Sequence, residues 1–405
     1  MINIPKHICS VLNILKDNGF EGYLVGGCVR DSLMGKEAHD FDITTNALPD
    51  EMLLCFKDMR IIETGLKHGT VTVVSEGENV EITTYRIDGK YVDNRHPEKV
   101  IYTRDIHEDL SRRDFTVNSL AYSPYEGLVD LFDGANDIKN KILRSVGNPD
   151  TRFNEDGLRI MRALRFSSVL SFQIDVQTKE SIHRNKELLL NISRERIFSE
   201  FKKLICGICA SDIIDEFFDV FNVIFPGISV FKNIVIQNTK LLSLLPDDAE
   251  IRLTTLFFGV ETDFVKKALV SLKPDNKLYG NVMTLLKYGI QDIMCDEISV
   301  KYIMRDLCQE LIGKLAIIKK IFNNDFNDKK FLKIHADFLK NNECVSLKQL
   351  AINGSDILKL GVANGPEIGK VLNFLLDEVI IGKCENDKES LIKHLNKNYF
   401  SVPKL

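Results

Sequence analysis

Apolar and polar positions follow two different rhythms along the chain. Over roughly the first 145 residues, short runs rich in Val, Ile and Thr stop at turn signals. Tyr23-Leu24-Val25 runs into Gly26-Gly27, Phe41-Asp42-Ile43 ends at Thr44-Thr45, and Thr70 to Ser75 and Val80 to Tyr85 read as further strands. Helical stretches, Val29 to Met34 and Pro49 to Asp58, lie between them. From about Pro149 onward apolar residues recur at helical spacing, which predicts helices over Leu158 to Leu170, Arg194 to Cys206, Lys301 to Asn323 and Glu367 to Ile381. The pattern describes a small α+β domain followed by a long all-α extension.

Composition narrows this picture. A chain of 405 residues has room for two to four domains, and 44% hydrophobic with 27% charged residues is that of a globular protein. No apolar run approaches the roughly 20 residues a membrane span needs. The most apolar stretch, Phe217 to Phe231, is interrupted by Asp219, Asn222 and Pro226. Met1 to Asn18 carries Lys6 and Asp17 and no export pattern, so a cytoplasmic protein is expected. Nine cysteines without an export signal argue against disulfides. The Cys206-Gly207-Ile208-Cys209 pair has no second pair at zinc spacing and reads as buried helix cysteines.

The net charge of −5 points away from a nucleic-acid partner, but the charges are unevenly placed. Of 17 arginines, 15 lie at or before Arg196, whereas 25 of 36 lysines follow it. Arginine makes fixed, bidentate contacts to phosphates and bases, while lysine is a looser point charge. Exact donor geometry is therefore to be sought in the first half.

Four segments there carry candidate chemistry. Leu24 to Asp31 is an apolar strand entering Gly26-Gly27 and then a helix, so backbone N–H groups face an anion with Arg30 one turn in. In His39-Asp40-Phe41-Asp42-Ile43 a strand would project Asp40 and Asp42 from one face and Phe41 and Ile43 into a core. Two adjacent carboxylates repel unless a cation joins them, and a divalent metal, magnesium most naturally, also bridges a triphosphate. A third carboxylate would complete a two-metal site; Glu81, opening a β-rich run, is the candidate, with Glu63 the alternative. In Ser111 to Asn118, Arg113 suits phosphate oxygens, Asp114 suits ribose hydroxyls, and Asn118 completes the polar set. Taken singly, each has a plainer reading as a tight turn, a solvated strand end or a surface ion pair.

Glu155 to Phe166 reads as one helix on which Asp156 and Arg159, three apart, are surface neighbours and Arg162 and Arg165 continue the row. An acceptor beside a guanidinium donor matches the Watson–Crick edges of cytosine and adenine, and it repels uracil and guanine, which present a carbonyl beside an N–H. The plain alternative is an ordinary helical salt bridge.

In order, LVGGCVRD, HDFDITT, RRDFTVNSLAY and EDGLRIMRALRF, between residues 24 and 166, resemble the successive motifs of the bacterial CCA-adding enzymes, the class II tRNA nucleotidyltransferases related to bacterial poly(A) polymerases. Asn353 to Leu358, and Gly365-Pro366 through Asn386-Asp387, are similar to the tail of the Gram-positive type. The resemblance implies a polymerase-β-like head over 1–146, a mixed sheet with helices, then a helical neck over 147–205, a body over 206–300 and a tail over 301–405 that grip the acceptor arm of tRNA. It assigns Asp40 and Asp42 to two Mg2+ ions, Gly27 and Arg30 to nucleotide phosphates, Arg113 and Asp114 to ribose and phosphates, and Asp156 and Arg159 to base selection. Arg162 and Arg165 match positions used around the nucleotide. Cys28 and Ser119 stand where alanine is frequent, and neither position carries a polar ligand role.

The implied activity is addition of C, C and A to tRNA from CTP and ATP. CC-only members lack a flexible loop that Asp88 to Pro97 supplies here at full length, so the alternatives are A-only addition, poly(A) synthesis, or a catalytically inactive tRNA-binding protein.

Overall fold

The computed structural model describes residues 2–88, 100–361 and 365–398. Most of the loop expected at Asp88 to Pro97 therefore lies outside the described residues. The protein divides into two compact units, one of Met1–Ala249 with Thr262–Pro274 and one of Glu250–Glu261 with Asp275–Leu405.

The first unit opens with α1 (Lys6–Asp17), whose Ile8, Val11, Leu12 and Leu15 form one buried stripe. Next come β1 (Gly22–Val25), α2 (Gly27–Leu33), β2 (Asp42–Thr45), α3 (Pro49–Cys55), β3 (Arg60–Ile62), β4 (Thr70–Ser75) and β5 (Glu78–Thr84). A small antiparallel pair, β6 (Arg86–Asp88) with β7 (Val100–Tyr102), follows, then α4 (Ile106–Ser111), β8 (Leu120–Ser123), β9 (Gly127–Asp130) and α5 (Gly134–Asn140).

Seven strands form one sheet in the order β3-β4-β5-β2-β1-β8-β9. Only β2 and β5 run parallel, with Ile43 opposite Ile82; the other neighbours are antiparallel. This is the expected mixed sheet. Being central, β2 is covered on both faces, so Ile43, Thr44 and Thr45 are all buried. It begins at Asp42, one register step from Ile43, and Asp40 precedes it in irregular backbone. The expected alternation over Asp40 to Ile43 thus holds only from Asp42 on, and Phe41 is half-buried.

After the sheet, β10 (Ile142–Leu143) pairs in parallel with β11 (Gln173–Ile174), and α6 (Pro149–Glu155), α7 (Leu158–Leu170), α8 (Val176–Asn185) and α9 (Arg194–Ile205) begin the helical region. The single helix expected over Glu155 to Phe166 is two helices. Asp156 is extended (φ −139°, ψ 105°), and a Cβ on Gly157 would lie 3.1 Å from the Leu188 carbonyl oxygen, so this close approach turns the backbone.

Helix α9 packs along α7, and just past its end lies Gly207, where a Cβ would meet Ser168 Oγ at 2.1 Å; only glycine allows the two backbones so close. Cys206 and Cys209 flank that contact at helix ends, half-buried, rather than inside a helix as expected.

The second unit is helical. Lys301 to Asn323 is again two helices, Glu297–Asp306 and Gln309–Phe322, because Leu307 and Cys308 are extended and Cys308 starts the second. One core gathers around Leu285, Leu315 and Phe331, another around Ile352, Leu375 and Leu391. The tail motifs prove to be stops and starts of helices: Asn353 caps Gly354–Lys359 in a capping box with Asp356, and Asn386 bonds the backbone of Gln349 and Ala351. No described helix is long and apolar enough to cross a membrane.

Candidate active site

The site grows from the turn between β1 and α2. Gly26 has φ +74°, which favours glycine, and its N–H reaches the Leu120 carbonyl on β8. A Cβ on Gly26 would lie 3.4 Å from Arg113, and one on Gly27 3.7 Å from Arg30. Two guanidiniums therefore frame the backbone turn that starts α2, which makes the turn a place for an anion. Arg30 is buried and fixed: it donates to Asp31 at 2.9 Å and to Asn118 Oδ1 at 2.6 Å, and it lies over the Phe166 ring.

The carboxylates stand on the adjoining strands. One step back along the parallel register from Ile43 and Ile82 are Asp42 and Glu81, so the two are neighbours on β2 and β5. Desolvation by the surrounding protein, then the charges of Glu81 and Asp40, push the Asp42 carboxyl above its ordinary range, while Arg113 opposes them. Asp40, Asp42 and Glu81 are all exposed. The alternative third carboxylate, Glu63, follows β3 at the sheet edge, separated from β2 by β4 and β5.

Crowded carboxylates with accessible oxygens suit a divalent cation. Among the described residues no group of three or more His, Cys, Asp and Glu side chains is arranged to hold a metal alone. The donor set fits the way magnesium binds, through one or two carboxylates with phosphate oxygens and water completing the shell.

The arginines are held by a buried carboxylate that the sequence pattern did not single out. Asp109, fully buried on α4, accepts from Arg112 at 2.8 Å and from Arg113 at 3.2 Å, and also from the Arg86 N–H. Burial would raise its pKa, but the two guanidiniums outweigh that and hold it below the usual range. Its helical spacing from Arg112 and Arg113, three and four residues, is the signal that could have found it.

Asp114 is buried as well. Its Oδ1 accepts from the Phe115 N–H and from Asn118, and its Oδ2 accepts from Arg162 Nε at 2.8 Å and Nη2 at 2.5 Å. Burial opposes its ionisation, yet Arg162, Asn118 and Arg159 together bring it down to about 2. The ribose acceptor expected here is thus engaged by protein groups.

Asp156 and Arg159 are not paired with each other. Asp156 Oδ1 caps α7 through the Leu158 N–H, and Oδ2 accepts from Arg196 on α9 at 2.8 Å. Arg159 donates to Glu155 at 2.6 Å and to the Arg112 carbonyl at 2.9 Å, tying α7 to the RRD segment. Arg162 and Arg165 do continue along α7; Arg165 meets Glu200 at 2.5 Å and stacks over Phe166 at 3.7 Å. The structure thus brings Gly26, Gly27, Arg30, Arg113, Asp114, Asn118 and Arg162 into one connected set. Asp42 and Glu81 stand beside it, and Asp156 and Arg159 are each held by a separate partner.

A mixed sheet with carboxylates beside a glycine turn and flanking arginines defines a nucleotidyltransferase. The Poly A polymerase head domain family matches residues 22–144, the probable RNA and SrmB-binding site of polymerase A matches 171–232, and tRNA nucleotidyltransferase domain 2 matches 247–395. The sequence is 36% identical to the CCA-adding enzyme of Ligilactobacillus salivarius, covering 98% of both proteins. It is 34% identical to that of Lacticaseibacillus paracasei, covering 95% of the relative and 96% of this protein. The crystal structure of the Bacillus stearothermophilus CCA-adding enzyme in complex with CTP superimposes with a TM-score of 0.84 at 28% identity, over all of that protein and 98% of this one. The chain belongs to the CCA-adding enzyme family. Nucleotidyltransferases of this kind use divalent metals.

Proposed function

We propose that this protein builds the 3′-terminal CCA of tRNA from CTP and ATP without a nucleic-acid template. The observation that carries the proposal is the placement of Asp42 and Glu81 on adjoining parallel strands, with Arg113 facing both Asp42 and the Gly26 turn. That arrangement suits a triphosphate lying along the turn with its α-phosphate at the carboxylates.

Asp40 and Asp42 would hold two Mg2+ ions, with Glu81 as the third carboxylate. Bound there, the metal supplies activation of the attacking 3′-hydroxyl and neutralisation of charge on pyrophosphate. The protein's own groups position the rest. Gly26, its own N–H on Leu120, shapes the turn and Gly27 offers a backbone N–H at the start of α2, Arg30 and Arg113 hold phosphate oxygens, and Asn118 fixes Arg30. Asp114 acts on the sugar side through Arg162, and Arg165 supports the same row. Asp156 and Arg159 read the base, each pre-oriented by its own partner, Arg196 and Glu155. In this reading the head spans 1–146, the neck 147–205, and the body (206–300) and tail (301–405) grip the acceptor arm in the cytoplasm.

The test supplies each nucleotide singly, with magnesium, to tRNAs ending before CCA, after C and after CC. The proposal expects CMP on the first two and one AMP on the third. AMP on the CC-ended tRNA alone would mean an A-adding enzyme, a long A tract would mean a poly(A) polymerase, and no transfer would leave a binding protein.

A further inference from the structure

Arg196 and Glu200 of helix α9 are four residues apart and so on one face. Arg196 holds Asp156, and Glu200 faces two of the three guanidiniums of α7: its Oε2 lies 2.5 Å from Arg165 Nε and its Oε1 lies 3.9 Å from Arg162 Nη1. Glu200 is 8% exposed, so it is a nearly buried carboxylate with no part in the chemistry derived above.

Beyond Arg162 a continuous relay leads to the glycine turn. Arg162 donates to Asp114, Asn118 donates to Asp114, and Arg30 donates to Asn118 at 2.6 Å. The guanidiniums of Arg30, Arg162 and Arg165 all lie over one ring, Phe166, at 5.3, 5.3 and 3.7 Å. Charges of one sign gathered around a single ring repel, and they stay in place only while each has its own acceptor. Arg30 has Asp31 and Asn118, and Arg162 has Asp114. Arg165 has Glu200.

We propose that Glu200 is a positioning residue for the nucleotide site: by balancing the charge of Arg165 it leaves the Oδ2 of Asp114 to Arg162, which keeps the Asp114–Asn118–Arg30 relay aimed at the Gly26–Gly27 turn. Arg165 already feels the charge of Asp114, and without the Glu200 carboxylate it is drawn toward Asp114 and competes for it. Arg162 is then displaced from its two-point contact, and Asn118 and Arg30 lose their orientation with it. Because the relay ends at the phosphate side and not at Asp156, the effect falls on CTP and ATP alike. The inference rests on the reading that Arg30 and Arg162 serve the bound nucleotide.

A double-mutant cycle tests it in the full-length protein, with steady-state kinetics for CTP and ATP on tRNAs ending before CCA and after CC. Glu200→Gln is expected to raise KM for both nucleotides by the same factor, about tenfold, with kcat within about twofold and the CTP-to-ATP preference unchanged. In an Arg162→Ala background, Glu200→Gln should change KM by less than about twofold, since the group it acts through is gone. An equal KM increase in both backgrounds, or none in either, overturns the proposal. If Arg162→Ala itself leaves both KM values unchanged, the nucleotide-site reading fails; if it raises them while Glu200→Gln does not, the role of Glu200 alone fails. Should Glu200→Gln not fold, Glu200→Asp keeps the charge but pulls it back from Arg165. A KM rise of about threefold for both nucleotides is then expected, and unchanged KM values overturn the proposal.

Discussion

Asp156 is paired with Arg196, not with Arg159, three residues away. The arginine that holds the carboxylate comes from another helix, and Asp156 also caps α7, so its orientation is set from two directions. Arg159 is likewise set by Glu155 and by the Arg112 carbonyl. An acceptor and a donor held by separate partners keep their geometry before any nucleotide arrives, as the base-reading role proposed for them requires.

Base discrimination should therefore depend on Arg196. Arg196→Met frees the Asp156 carboxylate to rotate, and the preference for CTP over UTP on a tRNA ending before CCA should fall about tenfold, the worth of one lost charged hydrogen bond. Competition between labelled nucleotides measures this. Unchanged preference would separate Asp156 from base reading.

The crowded carboxylates carry an opposite signature for stability. Asp42 has its carboxyl raised by desolvation and by Glu81 and Asp40, so in metal-free protein at neutral pH its charge works against folding. Asp42→Asn should abolish nucleotide transfer, retain tRNA binding, and melt at a higher temperature than the parent when divalent ions are chelated. Thermal unfolding in EDTA checks the last point.

For Asp114 the sign reverses. Its carboxyl sits at about 2, below the ordinary carboxylate, because Arg162, Asn118 and Arg159 outweigh the cost of burial. Such a group stabilises the fold fully above about pH 4 and loses that contribution as pH falls toward its folded value, a change of about 2 kcal/mol. Asp114→Asn should be markedly less stable at neutral pH, and the gap in melting temperature should narrow as pH is lowered from about 4 to about 2. A gap independent of pH would mean that the carboxylate charge is not what holds Arg162.

Phe166, the ring beneath Arg30, Arg162 and Arg165, invites a further substitution. Phe166→Leu keeps most of the buried volume and removes the ring face, so it should cost about 1–2 kcal/mol of stability. It should also raise KM for both nucleotides, as measured alongside a urea titration. A stability loss with unchanged KM would restrict the ring to packing.

Much of this arrangement is legible in the amino-acid order. The strand-to-glycine turn, the Val/Ile/Thr runs and the later helical periodicity are local signals, and the α+β head and helical remainder follow them. Local patterns mislead where long-range contacts decide. The break at Asp156-Gly157 comes from Gly157 lying against Leu188, and the start of β2 at Asp42 leaves Asp40 outside the strand. The partners of the site residues were also hidden, because Arg196 and Glu200 lie 40 and 38 residues from the Asp156 and Arg162 they face, and no spacing rule joins them. Asp109 was the exception, reachable from its helical spacing to Arg112 and Arg113.

The central claim, that a protein site alone dictates the sequence C, C, A, is met most directly by sequencing the product ends. A tRNA ending before CCA is incubated with magnesium and all four nucleoside triphosphates at equal concentration, with no other nucleic acid present. The account predicts that the extended molecules end in CCA and stop there. Ends carrying U or G, a tract of A, or unextended tRNA would contradict it.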